Sequence, residues 1–524
     1  MAVETQISMR TISVINPATG ELLRELPCAT AEEVEQAVLR AQAAQPSWNA
    51  LGVSKRSEIL RNFQALLQAR KSEIARAITL EEGKPVVEAL LTEVLVVLDS
   101  ARFCIENARS LLREENVPHG SLPMKAKSGR ILREPYGVIG IISPWNYPFS
   151  IPATESLAAL ITGNAVVLKP SELTPLVALE LASLLYQAGV PKEIFQVVIG
   201  DGATGASLAD SRVGKLIFTG SVATGKKIAQ SGAARLLPVV LELGGKDPML
   251  VLDDADIDVA SSAAVWGAFM NAGQACLSIE RCYVHRGVYE KFLEACVAKT
   301  KRLHVGNGID PQTDVGPMIH ERQLLVVEAQ VQDAETKGVR VLTGGTRLTH
   351  LGHNFYSPTV LANVNHSMLV MREETFGPVL PIMAFDSDEE AIDLANDSQY
   401  GLAASVWTKD QSRGDMIARR INVGTVMVND AISCFGISEA PHGGVKASGM
   451  GRTHGRFGLE EMVRIKYLDS DHLPRMKKLW WYGYGESFTH QMKGFADMQF
   501  ATSPMQRIRG ALQSAGLILR KGKL

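Results

Sequence analysis

The stretch Gly137-Val138-Ile139-Gly140-Ile141-Ile142-Ser143-Pro144-Trp145-Asn146-Tyr147-Pro148-Phe149 decides the fold. Residues 138–142 form a short apolar, β-branched run without polar alternation, as a strand buried on both faces requires. It ends in a loop that two prolines hold rigid. The same texture returns at 165–168, 195–199, 215–218 and 239–241, with helical stretches between. Strand and helix in alternation predict a parallel sheet covered on both faces. The helix at 175–188 is the best bounded, since Gly189 supplies a left-handed stop and Pro191 cannot continue it.

Working outward, residues 32–50, 57–70 and 87–108 space apolar residues by three and four, which predicts helices over the sheet. Downstream, 249–428 alternates again, with helices near 255–270 and 288–303 and strands at 339–343 and 404–408. This predicts a second α/β domain. No internal repeat or low-complexity segment occurs, and only after Asp469 does the composition shift toward aromatic and basic residues.

The chain's 524 residues are enough for two or three folded units. A hydrophobic share of 46%, a charged share of 21% and 45 glycines are those of an ordinary globular protein. A formal net charge of -2 offers no field for nucleic acid. Cys28, Cys104, Cys276, Cys282, Cys296 and Cys434 are scattered without metal-type or paired spacing, so no metal is expected and a reducing cytoplasm fits. Residues 1–10 carry Glu4 and no apolar core, unlike a signal peptide. No apolar run approaches the roughly 18 residues of a spanning helix. The expectation is a soluble chain, at most peripheral to a membrane.

Three local features carry chemistry. Gly273-Gln274-Ala275-Cys276 follows a helical stretch, so Cys276 stands at a tight turn from which a side chain can enter a cleft. A lone cysteine is ordinarily a small buried hydrophobe, and the other five keep that reading. Leu241-Glu242-Leu243-Gly244-Gly245-Lys246 puts a carboxylate at the end of a strand, where parallel sheets bind ligands, although surface glutamates also sit in such turns. Pro144-Trp145-Asn146-Tyr147-Pro148 holds an amide in a rigid loop.

In order, spacing and identity these segments resemble the aldehyde dehydrogenase superfamily, over residues 15–466. The resemblance is carried by 144–149, 167–175, 218–225, 241–246, 271–276, 373–378 and 441–452. It implies two Rossmann-like parallel-sheet domains and a small β oligomerisation arm. The cofactor-binding domain would comprise 1–119 and 135–241, the catalytic domain 242–430, the arm 120–134 and 455–469, and an aromatic and basic extension 470–524. It implies Cys276 as nucleophile, Asn146 and the Cys276 backbone N–H as oxyanion donors, and Glu242 as the group that activates water. Lys246 would be a structural or orienting cation. The reaction implied is oxidation of an aldehyde to the acid through a thiohemiacetal and a thioester.

Gly200-Asp201-Gly202-Ala203-Thr204-Gly205 matches the dinucleotide fingerprint, yet no acid occurs between Asp210 and Glu242 to hold a ribose, so a tight turn is expected instead. The resemblance points to Gly220, Ser221 and Gly225 at a helix N-terminus facing the pyrophosphate, with Lys169 and Glu172 on the adenosine ribose. A carboxylate at Glu172 would repel a 2′-phosphate, which favours NAD over NADP. Glu374 and Phe376 resemble the pair that grips the nicotinamide ribose and stacks beside its ring, with Trp145 nearby. Tyr147 and Phe435 are candidate walls of an aldehyde tunnel.

His442 stands where the family usually has an aromatic, and Thr453 follows Arg452 where an acid is usual; both leave the class intact. The arm implies a homodimer at least. Arg475, Lys477 and Lys478 before Trp480-Trp481-Tyr482, and Arg507, Arg509, Arg520, Lys521 and Lys523 among Leu512, Leu517, Ile518 and Leu519, suit either a membrane interface or packing against protein. Glu486, Asp497 and several glycines are read as interrupting a clean amphipathic helix there. A coenzyme A-acylating enzyme, an acid-terminated semialdehyde as substrate, a silent structural protein and a thiol esterase are the competing readings. Glu242 counts against the first.

Overall fold

The computed structural model describes residues 10–478 and 480–519. Expectations resting on residues 1–9, Arg520, Lys521 and Lys523 fall outside the described residues. By internal contact the chain divides into a unit running to Leu112 and over Glu134–Arg464, and a second of Arg113–Arg133 with the chain from Ile465.

In the first unit a six-stranded sheet has the order Gly449–Met450, Val239–Leu243, Lys215–Gly220, Val138–Ile142, Ala165–Lys169, Phe195–Val197. Its five longer strands pair in parallel, and Gly449–Met450 pairs antiparallel with Val239–Leu243. Val138–Ile142 and Ala165–Lys169 are buried along their whole length, as the apolar runs 138–142 and 165–168 require, with Lys169 buried at the end of the second. The chain winds outward from Val138–Ile142 in one direction, then returns to its other side at Lys215–Gly220. Between those two strands the winding reverses, and the loops leaving their carboxyl ends open a crevice. A seven-stranded second sheet runs Arg340–Thr343, Thr359–Ala362, Val379–Phe385, Ile279–His285, Asp247–Val251, Ala403–Trp407, Thr425–Val428, parallel except for its first pair.

Helix Ala31–Ala50 opens with a capping box between Thr30 and Glu33. Gly52–Glu82 is longer than the expected 57–70 because no breaker intervenes until Gly83, a left-handed cap at φ 104°. The single helix expected at 87–108 is instead Val86–Ala89, a π-helical turn Leu90–Val94 and Leu95–Leu111. The wider turn points Glu93 inward, and such turns gather at functional positions. Residues 200–205 also depart from the expected simple turn, since Asp201 caps a helix, Gly202–Asp210, accepting from the N–H groups of Ala203 and Thr204 and pairing with Arg10 at 2.7 Å. That carboxylate takes the anion position at the helix end and leaves no place for a pyrophosphate.

The second unit holds Glu115–Val117, most of Lys127–Pro135 and most of Val463–Asp471 in a three-stranded sheet with Lys127–Pro135 in the middle. It starts at Arg113, ahead of residue 120, because Glu115–Val117 pairs antiparallel with Gly129–Ile131. Helices Glu486–Phe500 and Pro504–Ser514 form a hairpin whose glycines are its crossing points: a Cβ on Gly494 would meet Gln513 Cβ at 2.6 Å, and one on Gly510 would meet the Gly494 carbonyl oxygen at 2.5 Å. The glycines that seemed to break an amphipathic pattern therefore let two helices approach.

Candidate active site

A cleft of about 250 Å³ opens at the carboxyl ends of the first sheet, and among its lining residues are Trp145, Asn146, Glu155, Glu242, Cys276, Glu374, Phe376 and Phe435. Its parts come from loops after strands and from one unusual turn.

Cys276 reaches the cleft because helix Ile257–Phe269 is followed by Asn271, Ala272 and Gly273, all at positive φ (52°, 54° and 73°). Side chains at Asn271 and Ala272 tolerate this conformation only where the surroundings enforce it. Asn271 Nδ2 donates to the Asn146 carbonyl at 3.0 Å and to the Gln274 carbonyl at 3.3 Å, while a Cβ on Gly273 would strike the Gly377 carbonyl. Cys276 is partly exposed and the other five cysteines are buried. Burial pushes its thiol up, and Asp247, Glu374 and Glu242 add to the effect.

Asn146 is clasped from two sides. Its Nδ2 donates to the Gln274 carbonyl at 3.0 Å, and its own carbonyl accepts from Lys84 Nζ at 2.7 Å. One amide hydrogen is thus engaged and the other left for a ligand. Lys84 is buried, paired with Glu93 at 2.9 Å and seated 3.9 Å from the Tyr147 ring centre. Glu93 accepts from the N–H groups of Phe149 (2.8 Å) and Ser150 (3.0 Å), so the whole loop hangs on one buried ion pair.

Glu242 lies in strand Val239–Leu243, 6% exposed, and neither of its carboxylate oxygens has a hydrogen-bond partner among the described residues. Burial raises it well above the ordinary carboxylate range, and the neighbouring Glu155 raises it further, while Arg452 pulls the other way. His442 Nε2 stands 3.9 Å from it, in a ring that burial keeps neutral, lowered to about 3.

Glu374 accepts from the Gly245 N–H at 3.1 Å. Lys246 is buried and donates to Glu280 (2.7 Å) and Thr375 Oγ1 (2.9 Å), and Glu280 accepts from the N–H groups of Thr375 and Phe376. This network holds Phe376 at φ 51°, edge-on to Trp145 at 5.5 Å. Ser221 caps helix Val222–Ala234 by accepting from the Thr224 N–H at 3.3 Å. A Cβ on Gly220 would meet the Phe218 ring at 2.7 Å and one on Gly225 would meet Leu243 at 2.5 Å, so a side chain at either position would have to displace its neighbour. Lys169 is buried with its ammonium 3.2 Å from Glu172, whose side chain is 46% exposed. A helix N-terminus, a buried ammonium and a carboxylate beside two glycines fit the phosphates and riboses of a dinucleotide.

Of the two expected tunnel walls, Phe435 lines the cleft, while Tyr147 is buried behind it at 6.5 Å between ring centres. The sequence reading passed over Glu155, Lys84, Glu93 and Glu280. Glu155 had a signal, as the single charge in an otherwise uncharged helix, Ser150–Ile161. The other three act through partners tens of residues away, which no local pattern exposes.

Comparison with known proteins agrees with the geometry. The profile of the aldehyde dehydrogenase family matches residues 3–468. A 4,4'-diapolycopene aldehyde oxidase of Methylomonas sp is 40% identical over 515 residues, 97% of this chain and 95% of that one. A mitochondrial succinate-semialdehyde dehydrogenase of Oryza sativa subsp. japonica is 40% identical over 464 residues, 88% of this chain and 86% of its own. A solved NADP dependent enzyme of E. coli superposes with a TM-score of 0.84 at 37% identity, covering 88% of this chain and 95% of its own. The chain belongs to the aldehyde dehydrogenase family, and is an α/β oxidoreductase that acts on aldehydes and uses a nicotinamide cofactor.

Proposed function

We propose that the protein oxidises apolar aldehydes to carboxylic acids with NAD, through a thioester on Cys276 that water hydrolyses. The observation that supports this most is that one cleft is lined by a partly exposed thiol, a clasped amide and a buried carboxylate. Cys276 passes its thiol proton to the ionised Glu242 and so to solvent, Sγ bonds to the aldehyde carbon, and the oxyanion so formed accepts from Asn146 Nδ2 and the Cys276 N–H. When bound, oxidised nicotinamide supplies the hydride acceptor and a positive charge beside the thiol. Glu374, Phe376 and Trp145 would position its ribose and ring, and Lys169, Glu172, Gly220, Ser221 and Gly225 the rest of the dinucleotide. Glu242 then takes a proton from water as the water oxygen bonds to the thioester carbon, and the carbon–sulfur bond breaks to release the acid.

Ile151, Val326, Leu402 and Phe435 are apolar, no lysine or arginine lines the cleft among the described residues, and its carboxylates would repel an acid-terminated aldehyde. A relative aligned over 97% of this chain is named 4,4'-diapolycopene aldehyde oxidase. Glu172 favours NAD. Initial rates with straight-chain, aromatic and acid-terminated aldehydes, with NAD and NADP in parallel, test the reading; turnover of acid-terminated aldehydes alone would overturn it. Stimulation by added coenzyme A would favour the acylating alternative.

In this reading the chain is a homo-oligomer of the cytoplasm. Val463–Asp471 is a sheet edge bearing Ile465, Tyr467 and Leu468 at 71%, 50% and 38% exposure, a strip that a second copy would cover. Among the described residues no helix is long and apolar enough to cross a membrane. Helix Pro504–Ser514 exposes Met505, Ile508 and Leu512 on one stripe beside Arg507 and Arg509, which suits peripheral contact with lipid. Equal vesicle co-sedimentation with and without residues from 480 onward would remove the membrane role.

A further inference from the structure

Glu155 is the only ionisable side chain of Ser150–Ile161, a helix buried on every side. Its Oε1 accepts from Thr219 Oγ1 at 3.3 Å, and its Oε2 is buried without a hydrogen-bond partner among the described residues. Thr219 is the register partner of Glu242 on the adjacent strand, and the two carboxyls line the same cleft as Cys276. Both Glu242 oxygens are unpartnered too. Two neighbouring carboxylates without a bonded cation cannot both be ionised, and such a pair titrates as a unit.

The other charged or titratable groups around the pair do not replace a bonded cation. Arg452 spends its guanidinium on the Gly444 and Gly451 carbonyls, and Glu461 is paired with Lys215. The rings of His442 and His454 are kept neutral by burial, lowered to about 3 and about 4. Cys276 and Glu374, also in the lining of this cleft, are acids. A smaller cavity adjoins, sharing Thr154, Glu155, Thr453 and His454 with the main one, and His454 Nε2 is likewise buried and unpartnered.

We propose that Glu155 is the proton-holding partner of Glu242, the pair carrying a single proton in the working enzyme, on Glu155. This rests on the hydrolytic reading above. Glu242, left ionised, takes the proton of the attacking water. The pair then holds two protons; Glu155 passes one to solvent water by way of the smaller cavity that Thr453 and His454 line, and receives the other from Glu242, which restores the base. Glu155 is thus a positioning residue that acts through Glu242.

The test is Glu155→Gln with hexanal and NAD as probes, following the first-turnover burst of NADH and the later steady rate across pH. The burst is expected to stay near that of the parent enzyme while the steady rate falls at least about tenfold. The pH profile of deacylation, bell-shaped in the parent, should become a single rising limb, and Glu155→Asp should restore the bell. An unchanged steady rate and profile, or a parallel loss of burst and steady rate, would overturn the proposal. Should Glu155→Gln not fold, infrared titration of the parent enzyme decides: protonated-carboxyl signal lost in two steps supports the pair, and loss in one step refutes it. Glu242→Gln separates the two readings, because normal turnover there would sink the hydrolytic mechanism itself, whereas a burst without turnover leaves only the Glu155 role at stake.

Discussion

Glu172 is nearly half exposed and pairs with Lys169, and in the proposed cofactor arrangement its charge would face the adenosine ribose. Replacing it with glutamine removes the repulsion of a 2′-phosphate. Glu172→Gln should raise kcat/KM for NADP by about tenfold or more while changing that for NAD little, which paired kinetics would read directly. Cys276→Ala should abolish both aldehyde oxidation and any ester hydrolysis, a loss of about a thousandfold or more. For Glu242 the sign of the pH effect follows from its burial. A carboxyl raised above its ordinary range stays protonated to higher pH, and only its ionised form accepts a proton from water. The deacylation rate should therefore climb as pH rises past the ordinary carboxylate range. Cys276, Glu242 and Asn146 could be singled out in the sequence because the segments that carry them resemble those of the aldehyde dehydrogenase family, their place at a strand end or tight turn being by itself a weak signal. Glu155 and Lys84 could not be given roles, because their partners arrive from other elements.

At the scale of elements, the π-helical turn Leu90–Val94 matters most, since it turns Glu93 toward Lys84 and toward the N–H groups that begin helix Ser150–Ile161. Lys84→Met would leave Glu93 and Glu82 as buried carboxyls without their cation. Loss of one partner of such a pair costs about 3–5 kcal/mol. Denaturant unfolding of this variant should show that loss, together with a weaker oxyanion loop and a lower kcat. The apolar runs of the first sheet were legible because a strand buried on both faces has no polar alternation to obscure it. The break of 87–108 into three pieces was not, because a π turn keeps the same apolar spacing on either side and is set by what Glu93 must reach.

For the whole molecule, buried acids set the pH dependence of stability. Burial raises Glu81, Glu82 and Glu155 to about 8. A carboxyl whose folded value lies above its unfolded one contributes stability that is complete below the ordinary carboxylate range. That contribution is lost as pH rises through about 8. Thermal unfolding should accordingly shift to lower temperature on going from mildly acidic to alkaline buffer; an upward shift would show that these groups are ionised in the fold. Ile465→Lys, which charges the exposed sheet edge, should reduce the oligomer seen by light scattering with little effect on the melting of the first unit.

By its own pattern the sequence determined the two α/β blocks and the strand ends and turns within them, and its resemblance to a known family pointed to which of their residues a thioester mechanism would use. Apolar periodicity and turn chemistry are local properties, and the chain spells them out residue by residue. Tertiary structure alone decided which charges meet: Lys84 with Glu93, Lys246 with Glu280, and Glu155 with Glu242. It also set Asp201 over a helix end that a motif had suggested for phosphate. The physical reason is that a charge acquires its meaning from burial and from partners distant in the chain, and both exist only once the sheets have brought those segments together.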